Sequence, residues 1–351
     1  MKRMRNVTTA DLSFLVTGGA GYVGSQVCVD IKRAFPWARV VVLDDFSAGT
    51  FARGDFLQRY YGAELLVADL RDSARYSSAL AKYSNLNVIH CAALKNGVAS
   101  FEEKEDYYSV NVDGTLALLG VLNPDSVQSF LFSSSAAVYG PGTGSAFPEA
   151  VELKPGSPYG ETKAVGERLV YEWSEKHLVP ACSLRYFNPI GYGDLAGVQS
   201  DIGVGDTALV DCLIGAYVAG GQFTVFGKGC NTSSGYPERD FIDIRDLSLA
   251  HLEMTRYISK QPRPFYEVYN VGTGCSTPIS ELVDVFQDVI GPLCRVNECP
   301  ARLGDVAAAF ASVEKIAAAT QWVAKRSVKE SIQTLKQVVF DLSKKKSNLN
   351  V

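Results

Sequence analysis

The sequence predicts an α/β protein, a doubly wound parallel sheet with a smaller C-terminal α/β domain. Two observations predict it. Apolar runs at Phe14–Thr17, Val40–Leu43, Leu65–Ala68, Val88–Ala93, Phe130–Phe132 and Ala181–Leu184 read as strands. Longer amphipathic stretches, such as Val110–Leu122 and Thr162–Trp173, lie between several of them. Near-continuous apolar strands alternating with helices imply a parallel sheet covered on both faces. Right-handed crossovers then leave a doubly wound order. A length of 351 residues is also too great for one ordinary core and suits one large domain plus a smaller one.

The first strand, Phe14-Leu15-Val16-Thr17, runs into Gly18-Gly19-Ala20-Gly21-Tyr22-Val23-Gly24, and a helical pattern follows at Val27, Cys28 and Ile31. A G-x-G-x-x-G turn between a strand and a helix allows close backbone approach to a pyrophosphate, which the helix N-terminus attracts. Gly18, Gly21, Tyr22, Val23 and Gly24 are the candidate contacts. Twenty residues beyond Gly24 the second strand, Val40-Val41-Val42-Leu43, ends at Asp44-Asp45. A carboxylate there binds ribose hydroxyls and repels a 2′-phosphate, so the pattern is Rossmann-type and favours NAD over NADP. The third strand ends at Asp69-Leu70, where adenine could rest. The fourth ends at Cys91-Ala92-Ala93, where an open parallel sheet binds ligands.

The fifth strand, Phe130-Leu131-Phe132, finishes in Ser133-Ser134-Ser135. Further on, Ser157-Pro158-Tyr159-Gly160-Glu161-Thr162-Lys163 enters a helix, and residues four apart share a helical face. Tyr159 and Lys163 therefore point the same way. A phenol titrates near 10 and is a poor base at neutral pH. A neighbouring ammonium, with a positive nicotinamide ring, stabilises the phenolate, and Ser135 can relay the proton. Alone, Tyr and Lys four apart are usually surface neighbours. After a dinucleotide turn and a hydroxyl-tipped strand they read as catalytic.

The second half changes texture, with Gly and polar residues crowding Gly191–Asp206 and Gly227–Pro237, which read as loops over a site. The boundaries expected are 11–188 for the NAD-binding domain, with segments near 240–258 returning to it, and 189–335 mainly for the substrate. Residues 1–10 and 342–351 are expected to be flexible tails. A net charge of -4 offers no basic field to nucleic acid. No apolar run reaches the roughly 20 residues that span a bilayer, and Met1–Asp11 lacks the apolar stretch of a secretory signal. The eight cysteines form no C-x-x-C and several lie in apolar runs, which reads as buried reduced thiols in a cytoplasmic protein. Only Cys294 and Cys299 are close enough for a local bridge. The three histidines are scattered, and no metal-ligand spacing occurs.

With these residues in place, the sequence resembles the extended short-chain dehydrogenase/reductases, and within them the UDP-galactose/UDP-N-acetylglucosamine 4-epimerase family. The resemblance runs from about Phe14 to Trp322. It is carried by Thr17–Gly24, Leu43-Asp44, His90–Lys95, Asn111–Thr115, Ser133–Gly140, Ser157–Lys163, Arg185–Pro189, Arg239–Ile242 and Arg302–Asp305. It implies Lys95 near the cofactor and substrate, Asn111 near the fourth-strand crevice, and Tyr186 and Phe187 flanking the nicotinamide. It also implies Asn188, Arg239 and Arg302 on the UDP diphosphate, which suits bidentate guanidinium groups, and Asp305 on the uridine ribose. A homodimer is the family expectation. The implied activity is reversible C4 epimerisation of UDP-hexoses with tightly bound NAD. Tyr159 would take the 4-hydroxyl proton, and a 4-keto sugar would turn over before hydride returns.

Relatives that dehydrate or decarboxylate nucleotide sugars carry acidic residues where this chain has Ala136 and Ala137, which argues against both chemistries. The residue four past Asp305 lines the sugar pocket in the epimerases, and a tyrosine there restricts the site to plain hexoses. Ala309 stands there, so UDP-GlcNAc and UDP-GalNAc are expected substrates, with UDP-glucose and UDP-galactose alongside. Asp206-Thr207-Ala208-Leu209 stands where the family carries an Asn-Asn-Leu-like uridine contact, a departure from the family pattern. Two alternatives stay open. A reductase of small carbonyls would need neither Arg239 nor Arg302. An NAD-sensing regulator tends to lose the Tyr-x-x-x-Lys pair, which is intact here.

Overall fold

The computed structural model describes residues 12–140, 145–195, 198, 209–300 and 306–349. The chain opens β1 (Ser13–Thr17), α1 (Tyr22–Ala34), β2 (Arg39–Asp44), α2 (Phe51–Tyr61), β3 (Glu64–Val67), α3 (Ser77–Leu80), β4 (Leu86–His90) and α4 (Lys104–Tyr108). A π-helical turn, Ser109–Asp113, leads into α5 (Gly114–Val121), then β5 (Val127–Ser135), α6 (Pro158–His177) and β6 (Ala181–Tyr186). Each strand forecast from an apolar run is present. The fourth stops at His90, and Cys91-Ala92-Ala93 turns away as a loop. The helical stretch from Val110 opens in the π-helical turn, which apolar periodicity does not signal.

The later elements are β7 (Asn188–Ile190), α7 (Leu209–Ala219), β8 (Gln222–Phe226), β9 (Glu238–Arg239), β10 (Phe241–Asp243), α8 (Ile244–Ile258) and β11 (Tyr266–Val271). They continue as β12 (Thr277–Pro278), α9 (Ile279–Val289), β13 (Arg295–Cys299), β14 (Ala308–Ala309), α10 (Glu314–Thr320), α11 (Val328–Gln333) and α12 (Lys336–Leu349). The main sheet has seven strands in the order β11-β6-β5-β4-β1-β2-β3. Its direction of growth reverses between β1 and β4, the switch point at which doubly wound sheets bind ligands. Parallel registers align Thr17 with Leu43 on one side and with His90 on the other. β1, β2 and β4 therefore deliver their carboxyl ends to one edge. β1, β4 and β6 are buried at every residue, as strands covered on both faces must be.

Two compact units emerge. The first holds the described residues up to Ser135 with Ser157–Leu184 and Ser248–Tyr269. Its core joins Leu15, Val41, Leu43, Val88, Phe130 and Trp173. The second holds those of Ala136–Gly156, Arg185–Leu247 and Asn270–Val351. Its core joins Ile214, Phe223, Phe241, Leu282, Phe286 and Ile332. In this unit β13 pairs parallel with β8, β7 with β10, and β9 lies between β12 and β14. α12 runs on to Leu349, past the point near Asp341 where the sequence reading ends the ordered chain. Leu342 packs on the core of this unit, and the Lys344 ammonium lies 4.3 Å from the Phe340 ring centroid.

All eight cysteines are free thiols, Cys294 and Cys299 included. The reading of buried thiols needs correction, since only Cys28 and Cys182 are fully buried and Cys212, Cys275 and Cys294 are exposed. Among the described residues no helix is long and apolar enough to cross a membrane.

Helix α6 lies close on β5. A Cβ built on Gly166 would stand 2.3 Å from the ring of the buried Phe132. Gly166→Ala should therefore destabilise the protein by about 1–3 kcal/mol despite the better helix propensity of alanine. Gly120→Ala, on α5 where nothing lies within 4 Å of the added Cβ, should instead gain about 0.5–1 kcal/mol. Thermal and urea denaturation of the pair check both signs.

Candidate active site

The glycine turn is shaped by spaces that side chains would close. Gly18 has a φ of 65°, and a Cβ there would lie 2.7 Å from the Ala92 backbone. The β1 loop and the β4 loop thus touch backbone to backbone. A Cβ at Gly24 would meet the Gly18 carbonyl at 2.3 Å, so α1 packs directly against the turn that feeds it. α1 begins after Gly21 with no side-chain cap and no acidic residue in its first turn, which includes Tyr22 and Val23. Its positive end is left to meet an anion. At the end of β2 the Asp44 carboxylate accepts the Ala20 amide at 2.9 Å and the Phe46 amide at 2.8 Å. It ties the turn to the strand end while keeping lone pairs for hydroxyl donors. Burial raises its pKa, and the two amides oppose that rise. Lys95 is exposed, with its ammonium 5.6 Å from the Tyr22 ring centroid. A bare helix start, a close glycine turn and a strand-end carboxylate together fit a dinucleotide.

Asp69 and Leu70 are less simply placed. β3 ends at Val67, and the Asp69 carboxylate is gripped by Arg71 through Nε at 3.0 Å to both oxygens. The Arg71 guanidinium holds the Asp69 pKa down. The Leu70 side chain belongs to the core, and its carbonyl accepts the Tyr76 hydroxyl at 2.7 Å.

Tyr159 and Lys163 share α6, which starts at Pro158 under a Ser157 cap whose hydroxyl accepts the Gly160 amide at 3.2 Å. Proline at the first helical position and serine before it form a standard helix start. The Ser135 hydroxyl hydrogen-bonds the Tyr159 phenol. Lys163 is buried and donates to the Ser133 carbonyl at 2.8 Å, with its ammonium 5.9 Å from the Tyr159 ring centroid and 5.1 Å from that of Phe132. Burial pushes the Tyr159 phenol up, and the Ser135 hydrogen bond opposes that rise. Burial also pulls Lys163 down to about 8. The lowered phenol pKa expected from the Tyr–Lys pair is thus not set by these two residues alone. Desolvation outweighs the Ser135 hydrogen bond.

Of the other residues at this edge, Asn111 and Cys91 are those expected at the fourth-strand crevice, and His90 and Glu167 have no role legible in the sequence. Asn111 sits in the π-helical turn. Its carbonyl oxygen accepts the Leu94 amide at 2.8 Å, and its amide donates to the Leu94 carbonyl at 3.1 Å and to Thr162 Oγ1 at 3.0 Å. It fixes the loop after β4 against α6. His90 bridges Thr17 Oγ1 at 2.6 Å and Thr115 Oγ1 at 2.9 Å, and burial holds its pKa down near 3, so the ring is neutral. Cys91 accepts the Ser133 hydroxyl at 3.2 Å, and burial raises its thiol to about 11. Glu167 is buried and takes the Ser134 hydroxyl at 2.5 Å.

In the second unit, Tyr186 and Phe187 are buried, and the Phe187 amide donates to the Val271 carbonyl at 3.1 Å. Asn188 donates to the Asp240 carbonyl from its amide at 2.9 Å and its side chain at 3.2 Å. Arg239 Nη1 donates to the Glu238 and Val306 carbonyls at 2.8 and 2.7 Å. Ala309 is the register partner of Arg239 across β9 and β14, so these two predicted residues are neighbours. Arg302, Asp305 and the stretch 206–208 lie outside the described residues. The organiser here is one the sequence reading missed. Asp240 is fully buried, and its carboxylate accepts Thr273 N at 2.7 Å, Gly274 N at 3.0 Å and Ala311 N at 3.1 Å. The only sequence signal for it is its place after Arg239.

A family model described as the NAD dependent epimerase/dehydratase family matches residues 14–272. The chain belongs to that family. It is 32% identical over 321 residues to a UDP-glucose 4-epimerase of Rhizobium leguminosarum bv. trifolii, covering 91% of this chain and 95% of that one. Among solved structures it is similar to the UDP-glucose 4-epimerase of Stenotrophomonas maltophila, with bound NAD and formylated UDP-arabinopyranose. The TM-score is 0.87, with 28% identity, 95% of this chain and 99% of that chain covered. It is also similar to the UDP-Glc/GlcNAc 4-epimerase of Campylobacter jejuni, with a TM-score of 0.80, 26% identity, and 95% and 99% covered. The family is NAD-dependent, in keeping with the fit of the glycine turn and Asp44.

Gly18→Ala tests that fit. Positive φ and the Ala92 contact together cost about 1–3 kcal/mol at the turn, so NAD should bind at least tenfold more weakly by calorimetric titration. Undiminished affinity would separate this turn from cofactor binding.

Proposed function

We propose that the protein is a UDP-hexose 4-epimerase that interconverts UDP-sugars at C4 through a 4-keto intermediate, with NAD retained through turnover. The observation that carries the reading is the cluster at the carboxyl edge of the main sheet. The Ser135 hydroxyl lies on the Tyr159 phenol, with buried Lys163 one turn along α6. Similarity to UDP-glucose 4-epimerases over nine-tenths of the chain supports it.

In this reading Tyr159 removes the proton of the sugar 4-hydroxyl and later returns one, a general-base and general-acid cycle. Ser135 passes the proton and orients the phenol. Lys163 supplies the positive charge that makes the phenolate accessible. When bound, NAD accepts the C4 hydride and gives it back, so none is consumed. Gly18, Gly21, Tyr22, Val23 and Gly24 hold its pyrophosphate, Asp44 its adenosine ribose, and Asp69 and Leu70 border the adenine. Cys91, Ala92, Lys95 and Asn111 line the β4 crevice. In the second unit, Tyr186 and Phe187 are assigned by family resemblance to the nicotinamide. Asn188, Arg239 and Arg302 are assigned to the UDP diphosphate, and Asp305 to the uridine ribose. The same reading has the enzyme act as a homodimer in the cytoplasm.

The sugar specificity is proposed from Ala309. A methyl group beside Arg239 leaves room for an acetamido group, so UDP-GlcNAc and UDP-GalNAc join UDP-glucose and UDP-galactose as substrates. The Campylobacter jejuni UDP-Glc/GlcNAc 4-epimerase, similar over 95% of this chain, supports that range.

The decisive assay gives purified protein UDP-galactose and UDP-GalNAc separately, without added NAD, and follows the 4-epimers by NMR. Conversion of either is expected, and Tyr159→Phe should lower kcat by about 100- to 10,000-fold. No conversion by the wild-type protein, even with NAD supplied, would overturn the assignment. Ala309→Tyr should suppress the acetylated pair while sparing the plain hexoses. Full activity on UDP-GalNAc in that variant would remove Ala309 from the account of specificity.

A further inference from the structure

The three serines that end β5 are met by three positions of α6, each one turn beyond the last. The Ser135 hydroxyl meets Tyr159, the Ser133 carbonyl accepts Lys163 at 2.8 Å, and Ser134 Oγ donates to Glu167 Oε1 at 2.5 Å. The proposed reaction uses the first two positions of α6 and leaves the third. Glu167 is nonetheless a carboxylate only 6% exposed, and a buried charge is costly unless it is hydrogen-bonded and paired. A mere anchor for α6 could be an uncharged residue. Phe132 and Ser134 share the face of β5 on which α6 packs, by the period of two in a strand. Gly166 allows close contact there, and the neighbouring Glu167 bonds to Ser134.

The groups facing Lys163 are the Cys91 thiol and His90 imidazole at the end of β4, with Tyr159 and Glu167 on its own helix. Burial keeps the thiol, the phenol and the imidazole neutral at physiological pH. Cys91 and Glu167 both work against the burial that pulls Lys163 down, and of the four groups Glu167 is the carboxylate, one turn along α6 from Lys163.

We propose that Glu167 is a positioning residue for Tyr159 and Lys163. Its bond to Ser134 sets where α6 sits along β5, and its charge keeps the buried Lys163 ammonium protonated. The inference rests on the epimerase reading for its kinetic consequence, but its electrostatic consequence can be measured without it.

The test compares wild type, Glu167→Gln, Glu167→Asp and Ser134→Ala, all loaded with NAD. With UDP-galactose as substrate, the alkaline limb of kcat should move down by about one pH unit in Glu167→Gln, with KM within twofold of wild type. Glu167→Asp should bring the limb back, and Ser134→Ala should lower kcat several-fold without moving it. In parallel, protein labelled at the lysine ε-carbon is titrated by NMR. The Lys163 resonance, assigned with Lys163→Met, should titrate at lower pH in Glu167→Gln. An unmoved Lys163 midpoint overturns the proposal whether or not the wild type epimerises UDP-galactose. A uniform loss of kcat at every pH, not restored by aspartate, overturns it as well. If Glu167→Gln does not fold, Ser134→Ala decides, and an unchanged kcat there overturns the proposal. A wild type with no epimerase activity but a shifted Lys163 midpoint counts against the function and for Glu167.

Discussion

The close approach of α6 to the last residues of β5 is the constraint on which the candidate site depends. Gly166 permits it, because any side chain there would enter the Phe132 ring. At that distance the end of the strand can be bonded by side chains from the helix, and a strand leaving a sheet has backbone groups that need partners. The Ser133 carbonyl finds Lys163, and the Ser134 hydroxyl finds Glu167. The residues that would perform the chemistry are thus also the residues that fasten the helix. Their positions are fixed by hydrogen bonds between two regular elements, which is what preorganisation requires.

A second polar chain sets the other wall. Thr17, at the end of β1, bonds the His90 ring, His90 bonds Thr115, and Thr115 donates to the Asn111 carbonyl at 2.6 Å. Asn111 then holds Leu94 and Thr162. Every link is buried or partly buried, and the neutral ring can donate at one nitrogen and accept at the other. A cationic imidazole would lose one of those roles, so burial of His90 keeps β1, β4, α5 and α6 in one bonded set. Such a network is worth most when every member is satisfied.

What the sequence made legible follows from local rules. Six of the seven strands of the main sheet could be read as apolar runs, even the edge strand β3, which is exposed or half-exposed throughout, and their carboxyl ends located the edge. The seventh, β11, is interrupted by Glu267 and Asn270, which hides it from a search for apolar runs. Gly18 to Gly24 could be read because a tight turn and close packing admit only glycine at several places. Glu167, Asp240 and His90 could not be read, because their meaning lies in partners 33, 33 and 73 residues away. An isolated Glu in a helix or an Asp after an Arg has a bland reading at the surface until the fold buries it. The exposed Cys212, on α7 among Leu209, Val210 and Leu213, failed for a related reason, since an apolar neighbourhood in sequence does not fix which face of an element a thiol occupies.

The surroundings of the Tyr–Lys pair show why a motif alone does not state a mechanism. Burial raises the phenol and lowers the ammonium, so desolvation works against the phenolate–ammonium state on both sides. A further positive charge brought to the phenol lowers its pKa, but the same charge lowers that of Lys163 too. Separating the two responses takes an anion nearer to the lysine than to the tyrosine. On a helix rising about 1.5 Å per residue, Glu167 stands one turn from Lys163 and two from Tyr159. Its charge therefore supports the ammonium more than it opposes the phenolate. The spacing of four and eight residues along α6 lets a positive charge at the phenol favour Tyr159 deprotonation without discharging the lysine on which that deprotonation depends.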